Sequence, residues 1–233
     1  MNGMNLLSLA TKGVQALQPY QPGKPLEELE REYGISQAVK LASNENPLGP
    51  SPAALQVIQS SLDELARYPD GNGFALKTAL AKKHDVTMEQ VTLGNGSNDI
   101  LELLARAFVT PENNIIFSQH AFAVYPIVTQ AVGAKARITE ARDWGYDLDA
   151  ILAAIDDKTR LIFIANPNNP TGTWLTHQQL EQFLSRVPPH VIVVLDEAYY
   201  EYASIPAMGA SDYPGGMQWL NEHANLVVTR TFS

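Results

Sequence analysis

The sequence predicts an α/β fold in which a mostly parallel central sheet is covered by helices on both faces. Three observations predict it. Short apolar runs alternate with helix-length segments along most of the chain, as strands joined by helical crossovers do. The runs Leu161-Ile162-Phe163-Ile164-Ala165 and Val191-Ile192-Val193-Val194-Leu195 lack polar alternation, as strands buried on both faces do. Each run also gives way at once to a polar cluster. Asn166-Pro167-Asn168-Asn169-Pro170-Thr171-Gly172 follows the first, and Asp196-Glu197-Ala198-Tyr199 the second. These clusters fall where strands should end, at the edge where open α/β sheets bind ligands.

Taken in order, residues 1–37 carry Pro19, Pro22, Gly23 and Pro25 beside a short charged helix at 26–33, and they read as an arm. Ser51-Pro52 is a helix start, a cap residue with proline at the first helical position. It opens a predicted helix over 53–67 with Leu55, Ile58, Leu62 and Leu65 on one face, and a second helix follows at 74–84. Strand and helix patterns then alternate. A strand at 91–93 precedes a helix at 99–108, 114–117 precedes 124–132, and 136–139 precedes 148–155. The strand at 160–165 precedes a helix at 177–186, 190–195 ends at the acidic cluster, and 226–229 is one more strand. The division expected, which rests on the family resemblance given below, is an arm and the start of a small domain over 1–50, then a large domain over 51–233.

The chain has 233 residues, 45% of them hydrophobic and 18% charged, so it can bury a sizeable core and is not disordered by composition. Sixteen basic against 25 acidic residues leave a net charge of −9. Counterion release on nucleic acid needs a basic cluster, and none is present, so that partner is disfavoured. There is no cysteine, hence no disulfide framework and no thiolate metal site. The five histidines show no ligand spacing, and no metal is expected. The start lacks the basic flank and apolar core of a signal peptide, and no apolar stretch is long enough to span a bilayer. A soluble cytoplasmic protein is the expectation.

Two features carry chemistry. Gly94-Asn95-Gly96-Ser97-Asn98 lies between a strand pattern and a helix pattern. It is either a tight strand–helix turn or a phosphate site, where free N–H groups at a helix start face an anion. No Lys-Ser/Thr follows the glycines and the third glycine of the dinucleotide fingerprint is absent, so it is neither of those motifs. Asp196 follows five apolar residues and needs a partner if buried. It either caps the next turn or faces a protonated ring nitrogen, to which a charge-assisted bond is roughly twice as strong as a neutral one. Glu197 points to the opposite face and reads as structural.

These residues resemble the fold-type I pyridoxal-phosphate aminotransferases, and within them the histidinol-phosphate aminotransferases. The matching pieces, in the family's order, begin with Tyr20-Gln21-Pro22-Gly23, Ser43-Asn44-Glu45-Asn46-Pro47-Leu48-Gly49 and Arg67-Tyr68-Pro69-Asp70-Gly71. The glycine loop, the Asn-Pro-Thr-Gly turn, the Asp-Glu-Ala-Tyr cluster and Arg230-Thr231-Phe232-Ser233 complete the set. The resemblance implies the three-layer sandwich of the pyridoxal-phosphate transferase large domain, with the C-terminal small domain missing from this chain. It implies pyridoxal 5'-phosphate as cofactor, and a lysine holding it directly after Ser233. It also implies a set of contacts. Ser97, Asn98 and Ser233 would meet the phosphate, and Tyr68 would reach it from a partner subunit of a homodimer. Phe122 would stack on the ring, Asp196 would face its nitrogen, and Asn169 with Tyr199 would hydrogen-bond its phenolic oxygen. Asp196 and Tyr199 would also act in catalysis. Tyr20 and Asn46 would contact substrate. Many relatives have tyrosine at the Phe122 position, and phenylalanine can stack but cannot donate a hydrogen bond. The implied reaction is amino transfer from histidinol phosphate to 2-oxoglutarate, giving imidazole acetol phosphate and glutamate in histidine biosynthesis. The rivals are an aromatic amino acid aminotransferase, a pyridoxal-phosphate decarboxylase, and a non-catalytic effector-binding domain of the same fold.

Overall fold

The computed structural model describes residues 6–20, 23–205 and 212–232. Contacts divide the chain into two compact units, one running to Gln18 and resuming at Glu89, the other Pro19–Met88. The first holds a five-stranded sheet. Its strands are β1 (Asn114–Ser118), β2 (Lys135–Thr139), β5 (Thr159–Ala165), β6 (Ile192–Asp196) and β7 (Leu226–Thr229), in the order β2-β1-β5-β6-β7 and parallel throughout. A separate hairpin pairs β3 (Ala141–Arg142) with β4 (Gly145–Tyr146).

Successive residues of each strand serve opposite layers, as the period of two requires. Ile116, Ile162, Ile164, Val193 and Leu195 join Ile151, Leu180, Phe183 and Leu184 on one side. Those partners come from α7 (Leu148–Ala153) and α8 (His177–Leu184). Ile115, Phe117, Leu161, Phe163 and Val194 meet Leu101, Ala105, Tyr125 and Val128 on the other, from α5 (Ser97–Phe108) and α6 (Val124–Ala131). The predicted three-layer α/β arrangement is therefore the observed one.

Local chemistry explains the helix ends. Thr176 and Gln179 form a reciprocal capping box ahead of α8, and the Asp147 carboxylate accepts from Ala150 N–H ahead of α7. The early segment, which reads as an arm from sequence, contains a short helix α1 (Lys12–Gln15) that packs on α6. The approach is close enough that a Cβ at Gly13 would stand 2.0 Å from the Gln130 carbonyl oxygen. Gln130 donates through Nε2 to the Gly13 carbonyl at 3.2 Å.

In the second unit, α2 (Leu26–Tyr33) ends on left-handed Gly34, and α3 (Pro52–Ser60) starts with the predicted proline. α4 (Phe74–His84) begins where Asp70 accepts from Phe74 N–H at 2.6 Å. The boundary expected at 50/51 lies within the stretch Pro19–Met88.

Other expectations need correction. Residues 91–93 form no strand, since this three-residue run has no ladder partner among the described residues. The helix expected over 53–67 stops at Ser60 and continues only as a 3-10 turn, Leu62–Glu64. Ser60 and Ser61 both donate to the Val57 carbonyl, the local competition that serine offers inside a helix. Its face of Leu55, Ile58, Leu62 and Leu65 is exposed.

Candidate functional site

The sheet brings three strand ends level at its C-terminal edge. Ala165 pairs with Asp196, and Asp196 with Thr229. Beyond them, Asn166 N–H donates to the Asp196 carbonyl and Glu197 N–H to the Thr229 carbonyl, both at 2.9 Å. Asp196 is 4% exposed. One carboxylate oxygen accepts the Tyr125 hydroxyl at 2.9 Å, and the other the Thr229 hydroxyl at 3.0 Å. Burial raises its pKa above the usual carboxylate value, while Tyr125, Thr229 and the Ala198 amide pull it back. The result is a buried carboxylate fixed in orientation by donors on both oxygens.

Tyr125 is the residue that sequence reasoning missed here. It is fully buried, and its ring stacks on Phe163 at 4.8 Å and 17°. It meets Phe122 edge-on at 5.8 Å and 89°. The ring thus joins Phe122 to Asp196. Burial and the neighbouring Asp196 charge push the Tyr125 pKa well above its ordinary value, so it stays a donor. Two sequence signals pointed to such a residue: helical spacing from Phe122, and the need of a buried carboxylate for donors.

The Asn-Pro turn divides its amides between structure and surface. The Asn166 side-chain oxygen accepts from Leu175 N–H at 2.7 Å. Asn168 donates to the His120 carbonyl and to Thr171 Oγ1, and accepts the Tyr146 hydroxyl at 3.0 Å. That same hydroxyl accepts from Ala165 N–H at 2.8 Å, tying the turn to the end of β5. Asn169 is half-buried and instead donates to the Tyr199 hydroxyl at 3.4 Å. Two residues 30 positions apart, expected from sequence to share one ligand atom, therefore meet at the strand ends.

The glycine loop opens α5. Gly96 has φ +82°, a conformation that glycine adopts without strain, and supplies no side-chain cap to the helix. Ser97 and Asn98 are its first helical residues, with Ser97 half-buried and Asn98 exposed. The loop holds itself through Asn95 N–H on the Asp99 carboxylate at 3.0 Å. A Cβ at Gly94 would stand 2.8 Å from Ile100 Cδ1 and 2.9 Å from the Asp99 carboxylate, so a larger residue there would make these side chains shift.

The remaining expected site residues lie elsewhere. Tyr20, Asn46 and Tyr68 belong to the second unit. Tyr20 and Tyr68 are exposed. Asn46 accepts from Leu48 N–H at 3.0 Å and donates to the Gly49 carbonyl, so it shapes its own turn. Ser233, and Gln21-Pro22 of the arm motif, lie outside the described residues. Among the described residues no group of His, Asp or Glu is placed to hold a metal ion, and no helix is long and apolar enough to cross a membrane.

Glu197 proves to be the centre of a second buried cluster. It is 0% exposed, and one carboxylate oxygen accepts Arg230 Nε at 3.0 Å and Nη2 at 2.8 Å. The other accepts Gly216 N–H, and the guanidinium lies 3.4 Å from the Tyr200 ring centroid.

The chain is similar to known proteins over most of its length. Histidinol-phosphate aminotransferase 2 of Pseudomonas fluorescens (strain Pf-5) is 62% identical over 98% of this chain and 61% of its own length. Histidinol-phosphate aminotransferase 1 of Nitrosococcus oceani is 56% identical over 97% of this chain and 60% of its own. The chain thus spans about three fifths of these relatives. The crystal structure of histidinol-phosphate aminotransferase from Sinorhizobium meliloti in complex with pyridoxal-5'-phosphate superposes with a TM-score of 0.84 at 27% identity. It covers 96% of this chain and 58% of that one. The profile of the aminotransferase class I and II family matches residues 36–233, a span that holds the glycine loop, the Asn-Pro turn and Asp196 alike, and the chain belongs to that family.

Proposed function

We propose that this chain holds pyridoxal 5'-phosphate at the C-terminal edge of its sheet. The protein then acts as a cytoplasmic homodimer that transfers an amino group from histidinol phosphate to 2-oxoglutarate. The observation that carries the reading is Asp196, a buried carboxylate with a donor on each oxygen, at a sheet edge where Asn169 of the turn meets Tyr199. The identities of 62% and 56% to histidinol-phosphate aminotransferases support the substrate.

The residues fit the cofactor. A buried anion is costly without a cationic partner, and a protonated ring nitrogen is one. Asp196 would hold the proton there, with the Tyr125 and Thr229 hydroxyls keeping the carboxylate turned. Asn169 and Tyr199 converge and would donate to a phenolic oxygen, and Phe122, braced by Tyr125, would cover one ring face. The first-turn amides of α5, with Ser97, Asn98 and Ser233, suit the phosphate. When bound, the cofactor supplies an electron-withdrawing ring that draws charge from the substrate's α-carbon. A lysine directly after Ser233 would anchor it and move the α-proton. Tyr68 of a partner subunit would add a phosphate contact, and Tyr20 and Asn46 would meet the substrate.

The experiment is steady-state kinetics of the full-length protein. kcat/KM for histidinol phosphate with 2-oxoglutarate should lie well above that for phenylalanine or aspartate. Equal use of phenylalanine would move the protein to the aromatic aminotransferases. Peptide mass spectrometry after borohydride reduction should find a pyridoxyl adduct directly after Ser233, and an unmodified residue there would remove the catalytic reading.

A further inference from the structure

We propose that Glu197 and Arg230 form a proton-releasable clamp that holds the chain leaving β7 against the Asp196 edge of the sheet. The bond that makes it is a two-nitrogen grip by Arg230 on one oxygen of a carboxylate with no solvent access. Four segments meet in it. Glu197 leaves β6 one residue after Asp196, and Arg230 leaves β7 one residue after Thr229, which itself bonds Asp196. Gly216 brings the loop 212–216, and Tyr213 of that loop donates to the Asn166 carbonyl at the exit of β5. Tyr200, opening α9 (Tyr200–Ala203), lies under the guanidinium.

The packing around the pair is close. A Cβ at Gly215 would stand 3.0 Å from the Tyr200 ring, and one at Gly216 would stand 2.5 Å from Leu195 and 3.1 Å from the Glu197 carboxylate. The guanidinium side chain is only 14% exposed. If it leaves, Glu197 stays buried in the sheet with the Gly216 amide alone. A proton on Glu197 and Arg230 in its seat are therefore alternatives, each weakening the other by the same factor.

The groups around the carboxylate set where this exchange falls. Arg230 faces it from β7, Tyr213 from the loop, and Tyr200 and Glu201 from α9. Burial raises the Glu197 pKa to about 7, against the pull of Arg230 and the Gly216 amide and with a small push from Glu201. Tyr213 stays neutral, its pKa raised by burial and by Glu197. The clamp is closed above neutrality and loosens below it. A buried ion pair of this kind serves position more than stability.

Two measurements test it. The first uses the protein without cofactor: the Arg230 Nε–H resonance, followed by NMR from pH 6 to 8. It should titrate with a midpoint near neutrality in the wild type and stay still in Glu197→Gln. A wild-type resonance that does not move over this range overturns the clamp, even if the variant fails to fold. The second rests on the cofactor reading above. The pyridoxal phosphate dissociation constant, taken as a ratio to Glu197→Gln at each pH, should weaken about tenfold from pH 8 to pH 6, one pKa unit's worth of linkage. A constant ratio overturns the coupling to the site. Absence of pyridoxal phosphate binding at every pH, with a titrating Arg230 resonance, upholds the clamp and removes the cofactor reading instead.

Discussion

At the scale of single residues, Asp196 shows how a buried charge is made tolerable and then useful. Its two hydroxyl donors come from opposite neighbours, Tyr125 on α6 and Thr229 on β7. Asp196→Asn keeps the shape and removes the charge. It should lower kcat by about a hundredfold or more, the scale seen when a preorganised electrostatic partner is lost. Its circular dichroism and melting temperature should stay close to wild type. Tyr125→Phe tests the support. It leaves a buried oxygen short of a donor, a loss of about 1–3 kcal/mol, and it raises the Asp196 pKa further above the usual carboxylate value. An acid whose folded pKa is raised makes stability fall as pH rises from its unfolded value through its folded one. The stability deficit of Tyr125→Phe should therefore grow from acidic to neutral pH, as urea midpoints at pH 4.5 and 7.5 would show. A deficit independent of pH would mean that the hydroxyl matters only for packing.

At the scale of elements, close approach of backbones decides more than propensity. Helix α1 has four residues, too few to persist alone in water, and its packing on α6 depends on Gly13. In Gly13→Ala the new methyl would stand 2.0 Å from a backbone oxygen that cannot turn aside. Limited proteolysis should then cut before residue 18 much faster, while the sheet's melting temperature falls little. Unchanged cleavage would show that the contact is dispensable. Legibility at this scale followed length. The runs of β5 and β6 announced themselves through five apolar residues each, and α8 through the helical pattern that follows the Asn-Pro turn. The two-residue strands β3 and β4 did not. Their turn is Asp143-Trp144, both left-handed at φ +50° and +65°, as the two-residue hairpin turn requires. The pair lacks the glycine that advertises such a turn. The run at 91–93 failed in the other direction, because a strand needs a neighbour as well as a sequence.

At the scale of the whole molecule, the proposed function draws on a second copy of the chain. Tyr68 is fully exposed in its own unit, which suits a residue that serves a partner subunit. Mixing full-length Tyr68→Ala subunits with Asp196→Ala subunits should restore one good site in each mixed dimer, and activity should rise above that of either variant alone. Activity that never exceeds the parents would place the work of Tyr68 within its own chain, or nowhere in the site.

Sequence alone determined the fold class, through periodicity and the polar residues that end apolar runs, and the family, through a resemblance of ordered motifs. Both signals are local and survive being read in one dimension. The resemblance named Asn169 and Tyr199 together, and the structure brings their side chains within 3.4 Å. Tertiary structure decided which groups hold Asp196, why Asn168 braces the turn while Asn169 meets Tyr199, and that Arg230 grips Glu197. Each of these is a pairing across tens of residues between side chains common in any sequence. Burial made each one necessary, because a polar group taken from water must find its partner wherever the fold puts one.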